Sequence, residues 1–83
     1  MNAHQTLLAR VRAELAHQLH EEPGLPWLSD TEPLAPAGVD SVLVITVVGE
    51  LERELGVTLP DDAVLGSASI SSLATALSRG DRR

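Results

Sequence analysis

The chain has 83 residues, a net charge of −6, no cysteine and a single aromatic residue, Trp27. A length of this order holds one domain that buries roughly 60–65% of its unfolded surface, which leaves little room for a large catalytic cleft. The acidic balance argues against a counterion-releasing grip on nucleic acid and favours a basic protein surface as partner, while the missing cysteines exclude disulfides.

No apolar run approaches the ~20 residues of a membrane span. The N-terminus lacks a basic-then-apolar leader pattern. A soluble, cytoplasmic protein is therefore expected, with no nucleic acid and no membrane among its partners.

Residues 3–20 have the spacing of a helix. Leu7, Leu8, Val11, Leu15 and Leu19 fall on one stripe about 120° wide. Asn2 stands where an N-cap belongs. Arg10, Glu14, His17 and Glu21 take the opposite face, and Pro23 with Gly24 are expected to stop the helix. His17, His20 and Glu21 form an H-x-x-H-E string. With no further ligand in sight, it reads as a solvated face and not as a metal site.

Residues 21–40 hold four of the five prolines and two of the six glycines, and no periodicity survives there. A loop of this length in so short a chain is usually functional. Trp27, Leu28 and Leu34 are its apolar anchors, expected to pin it onto the helices. A second role for Trp27, lining a cargo or partner site, stays open.

The run from Val42 to Val48 is almost wholly aliphatic, interrupted only by Thr46. It resembles a buried strand, but Val44, Val47, Val48, Leu51 and Leu55 recur at i, i+3, i+4, i+7 and i+11, the spacing of a helical core stripe. A strand over 42–48 would leave the following Glu50–Leu55 segment as an orphan turn. A helix over 41–55 is the better reading, with Asp40 or Ser41 as its cap and Gly56 at its end. On that phase Val42 and Ile45 cannot join the core. They share a side with Ser41, continued by Gly49 and Glu52 and bordered by Leu43 and Thr46. An exposed apolar patch of this kind marks an interaction site.

Pro60, Asp61 and Asp62 open a short helix over 61–65, which Gly66 breaks. Ser69 caps a last helix over 70–78, with Ile70, Leu73, Ala74 and Leu77 facing inward. Gly80 to Arg83 reads as a frayed tail. The predicted fold class is all-α: a small four-helix bundle of three longer helices and one short, with a long first loop, in one domain covering 1–83.

Gly38-Val39-Asp40-Ser41-Val42 resembles the G-x-D-S-aliphatic signature of acyl carrier proteins. The helix after the serine, the GVTLPDD stretch (56–62) and the SISSLATAL helix (69–77) fall where that family has them, so the resemblance covers essentially the whole chain. It implies that Ser41 carries 4'-phosphopantetheine, transferred from coenzyme A, and that the thiol of this arm holds cargo as a thioester. It implies a role for Gly38 in letting the loop turn close to the attachment point. It implies for Asp40 an anionic handle that meets basic groups on partner enzymes. A phosphate at this place would also meet free N–H groups and the positive end of a helix dipole.

Two departures refine the expectation. Many members have Leu before the glycine, where this chain has Ala37, and Leu34 takes over its packing. Several relatives carry more acid on the second helix, where this chain has Leu43 and Thr46, which points to a partly apolar partner face. Val39, in place of the glycine common in peptidyl carriers, tilts the reading towards acyl cargo.

The function implied is a carrier without catalysis of its own. It shuttles an acyl or aminoacyl thioester between enzymes, in polyketide or mixed polyketide–peptide assembly or in fatty-acid synthesis, with the second-helix departures favouring the former. The implied partners are a phosphopantetheinyl transferase, an acyltransferase or adenylating loading enzyme, and a ketosynthase or other acceptor enzyme. Their contacts would fall on Asp40, Val42, Leu43, Ile45, Thr46, Gly49 and Glu52. A free-standing monomer is expected, since the chain begins with Met1 and ends soon after the last helix. The alternative is a small helical interaction module with no prosthetic group. A serine hydrolase is disfavoured, because there is no G-x-S-x-G and no histidine in the second half of the chain.

Overall fold

The computed structural model describes residues 2–60 and 68–82. Among them three helices stand out: α1 (Ala3–Leu19), α2 (Ser41–Leu55) and α3 (Ile70–Arg79). α1 packs against both of the others. Two short strands, β1 (Val57–Thr58) and β2 (Asp81–Arg82), pair antiparallel with Val57 opposite Arg82 and Thr58 opposite Asp81. The short helix expected over 61–65, and its break at Gly66, lie outside the described residues.

α1 begins as its sequence predicts, with the Asn2 side chain accepting from the Gln5 backbone N–H at 2.8 Å. Val11, Leu15 and Ala16 are buried, and Leu7, Leu8 and Leu19 pack against them at the edge of the core. The end differs from expectation. His20 turns into the left-handed region (φ 57°), and the N–H groups of His20 and Glu21 donate back to His17 and Ala16 carbonyls. That left-handed cap stops the helix at Leu19, before Pro23 and Gly24 are reached.

α2 is helical in spite of its β-branched run. Val44, Val47, Val48 and Leu51 are buried on one stripe, and Leu55 packs at its edge. Burying each such side chain contributes about 1.5–3 kcal/mol, against a helix-propensity cost of a few tenths for each valine. Gly56, also left-handed, closes the helix.

α3 starts from a reciprocal cap. Ser69 Oγ accepts from the Ser72 N–H, and Ser72 Oγ accepts from the Ser69 N–H. Ile70, Leu73, Ala74 and Leu77 are all buried. The tail is not frayed at Asp81 and Arg82, which form β2 instead. Gly80 permits this approach: a Cβ there would lie 2.9 Å from Leu59 Cδ2 and 3.3 Å from the Thr58 carbonyl oxygen.

Residues 21–40 contain turns and bends but no regular helix or strand. Leu25, Leu28, Leu34 and Val39 from this segment join the core. Leu28 and Leu34 are anchors as expected. Trp27 is not, since it remains 47% exposed. Leu25 takes the buried place between Gly24 and Pro26, even though this requires a left-handed backbone (φ 42°) in a residue that pays for its Cβ there.

Arg12, from the edge of the apolar face of α1, organises the same segment. Its Nη1 donates to the carbonyls of Gly24, Leu25 and Leu28 at 3.0, 2.8 and 2.7 Å, and its Nη2 to Asp30 Oδ1 at 2.5 Å. Two backbone bonds then tie the loop to the start of α3: Ser71 N–H to the Asp30 carbonyl, and Leu34 N–H to the Ala68 carbonyl.

Candidate functional site

The chain enters α2 through a closed turn. The Leu34 carbonyl accepts from both Ala37 N–H (3.1 Å) and Val39 N–H (3.0 Å), and Gly38 N–H donates to Ala35. Gly38 sits at φ 94° with open space where a Cβ would be. Its glycine is therefore required by backbone conformation and not by crowding. Ala37 is half-buried at the edge of the core, next in the chain to that turn, and Leu34 is fully buried. Leu34 thus supplies the packing that Ala37 is too small to give.

The cap is Asp40. Its Oδ1 accepts from the Leu43 N–H at 2.8 Å, and its carbonyl from the Val44 N–H at 3.1 Å. Ser41 is then the first helical residue and not a cap. It is exposed, and its hydroxyl makes no hydrogen bond with any described residue. The N–H groups of Ser41 and Val42 are likewise unbonded among the described residues, so two donors remain at the positive end of a 15-residue helix. Exposed hydroxyl, free N–H pair and helix terminus together fit a phosphate ester on this residue.

The surplus apolar residues lie where the helical phase requires. Val42 is 71% exposed and Ile45 51% exposed. Thr46 is exposed, with its hydroxyl turned back to donate to the Val42 carbonyl at 3.0 Å. Leu43 is half-buried and packs against the core, and Gly49 is half-buried. Glu52 differs from a freely standing rim charge. It is half-buried, and its Oε2 accepts from the Leu59 N–H at 2.6 Å, which fastens the end of β1 to α2.

Among the described residues, no group of three His, Asp or Glu side chains stands close enough to share a metal ion. No helix is long and apolar enough to cross a membrane. Sequence reasoning missed Arg12 and Leu25. The available signal for Arg12 was its position four residues past Leu8, which puts an arginine on the edge of the apolar stripe of α1. Leu25, between Gly24 and Pro26, offered none.

Comparison with curated proteins and comparison with solved structures each give no significant match. A family model described as phosphopantetheine attachment site matches residues 9–77, a span that runs from α1 to α3 and includes Ser41. Domains of this family are carriers and not catalysts. By that match the chain belongs to the phosphopantetheine attachment site family, whose domain is the site of covalently attached 4'-phosphopantetheine.

Proposed function

We propose that Ser41 is the residue that receives the arm, and that the chain then shuttles an acyl or aminoacyl thioester between biosynthetic enzymes. The observation that carries this reading is the uncommitted, exposed Ser41 hydroxyl at the start of α2, inside Gly38-Val39-Asp40-Ser41-Val42. In the attachment step Ser41 Oγ forms an ester bond to the pantetheine-side phosphorus of coenzyme A. The P–O bond of the diphosphate breaks, adenosine 3',5'-bisphosphate leaves, and the serine proton passes to a base of the transferase.

The arm, when attached, supplies a thiol that holds cargo as a thioester. Everything else is positional work by the chain. The unbonded N–H groups of Ser41 and Val42 favour the phosphate. Asp40 holds the helix end that presents it. Tethering raises the effective concentration of the cargo at each enzyme, which is what a carrier contributes to rate.

The partner face of this reading is Asp40, Val42, Ile45 and Thr46, with Leu43, Gly49 and Glu52 at its borders. Its apolar centre is Val42 and Ile45, whose exposure has no use in the fold. A partly apolar face, together with Val39, favours acyl cargo in polyketide or mixed polyketide–peptide assembly over a purely electrostatic carrier. The partners are a phosphopantetheinyl transferase, an acyltransferase or adenylating loading enzyme, and a ketosynthase or other acceptor. The reading takes 1–83 as one domain acting in the cytoplasm.

Incubation with coenzyme A and a phosphopantetheinyl transferase, followed by peptide mapping, tests it. The expected result is one arm, on the peptide that contains Ser41. An unmodified chain, under conditions that modify a known carrier, would leave the interaction-module alternative standing in its place.

A further inference from the structure

We infer that Arg12 is a positioning residue for the modification of Ser41, acting through the segment between them; the inference rests on the reading of Ser41 given above. The segment has irregular backbone and little periodicity to hold it, yet its path decides how the chain enters α2. Arg12 fixes that path from the α1 side. Its side chain is only 20% exposed, and its guanidinium joins the carbonyls of Gly24, Leu25 and Leu28 to the Asp30 carboxylate.

The knot continues from Asp30. Its carbonyl accepts from Ser71 at the start of α3, and Leu34 is bonded to Ala68. Leu34 in turn accepts from Ala37 and Val39, the turn that delivers Asp40 and Ser41. Arg12 therefore sits at the head of a series of hydrogen bonds, linked through the backbone of residues 68–71, that reaches Val39, two residues before the serine. The left-handed Leu25 is held within this series, and removing Arg12 releases the constraint that keeps its unfavourable backbone in place. A lysine cannot substitute fully, because one ammonium does not reproduce a planar fork that spans three carbonyls and a carboxylate.

If the loop is freed, only a fraction of molecules presents Ser41 as the transferase needs it. The apparent affinity then falls in proportion to that fraction, while chemistry in the bound complex is unaltered. Steady-state kinetics of arm transfer should be measured for the wild type, Arg12→Ala and Arg12→Lys, well below the lowest melting temperature. Trp27 lies between Leu25 and Leu28 and is the only aromatic residue, so its fluorescence anisotropy reports the loop directly.

For Arg12→Ala the expected result is a KM for the carrier raised ~3–10-fold at nearly constant kcat, as for a competent fraction of a tenth to a third. Trp27 anisotropy should fall, helical circular dichroism should be retained, and Arg12→Lys should lie between the two. If Arg12→Ala does not fold, Arg12→Lys carries the same comparison. An unchanged KM with a loosened Trp27 overturns the inference, and so does a raised KM with Trp27 unmoved, since Arg12 would then act on the enzyme directly. A wild-type chain that takes no arm overturns the reading of Ser41 itself, an outcome distinct from a modified wild type whose variants match it.

Discussion

Among the described residues, Ser41 and Ser69 both stand at helix starts, and their surroundings differ. Ser69 is the N-cap of α3, buried to 8% exposure, with its oxygen accepting from Ser72 and its N–H donating to Ser72 Oγ. Ser41 stands one residue further along α2, exposed and with its hydroxyl unbonded among the described residues, because Asp40 has taken over the capping. A one-residue shift relative to the cap separates a hydroxyl that holds the fold from a hydroxyl the fold does not use. The helices behind them differ in the same sense. α3 directs Ile70, Leu73, Ala74 and Leu77 inward and leaves no large apolar side chain exposed. α2 fills its core stripe and still has Val42 and Ile45 outside.

The largest effects should come from the core both helices share. Leu15→Ala on α1 and Val48→Ala on the inward stripe of α2 should each lower stability by roughly 1–4 kcal/mol, through lost burial and the cavity left behind. Thermal or urea melts that barely move for both would mean that the helix faces are phased differently.

Next come the caps. Ser69→Ala and Asp40→Ala should each cost about 1 kcal/mol, because each removes the acceptor of a helix-end N–H. Ser41→Ala should cost much less, since the Ser41 hydroxyl accepts from no N–H among the described residues. A Ser41→Ala melt as damaging as that of Ser69→Ala would erase the distinction between the two serines.

The smallest effect on stability should fall on the spare face of α2. Ile45→Asp should change stability by about 0.5 kcal/mol or less, as expected of a surface position. Transfer of cargo to a cognate enzyme should nonetheless weaken, with little dependence on salt. For Asp40→Ala the slowing should be greater at low salt, where rim charges steer association. An Ile45→Asp protein that melts early and transfers normally would place Ile45 in the core and remove the partner face.

The helices and their inward faces were legible because 3.6-residue periodicity survives in each. The stripe from Val44 to Leu51, and the row Ile70, Leu73, Ala74 and Leu77, state both the element and its phase. The caps at Asn2 and Ser69 were legible from side-chain chemistry alone. Asp40 and Ser41 were not separable in that way, because both residue types cap well and only the backbone decides which one does.

What was illegible has no period. The pairing of β1 with β2 involves two residues on each side and depends on Gly80 passing close to Leu59. Leu25 is buried by a left-handed turn that propensity disfavours, and Trp27, the larger apolar residue beside it, is left half outside. The loop is held by one arginine that reaches four acceptors, a long-range arrangement to which no local pattern points. His20, and not Pro23 or Gly24, ends α1 because the left-handed cap satisfies the last carbonyls first.

Intact-mass measurement of Ser41→Ala and Ser69→Ala, each treated with coenzyme A and a phosphopantetheinyl transferase, tests the central claim most directly. The account predicts that Ser69→Ala, though less stable, gains the mass of one phosphopantetheine arm, and that Ser41→Ala remains folded and gains none. An arm on Ser41→Ala, or none on a folded Ser69→Ala, would contradict it.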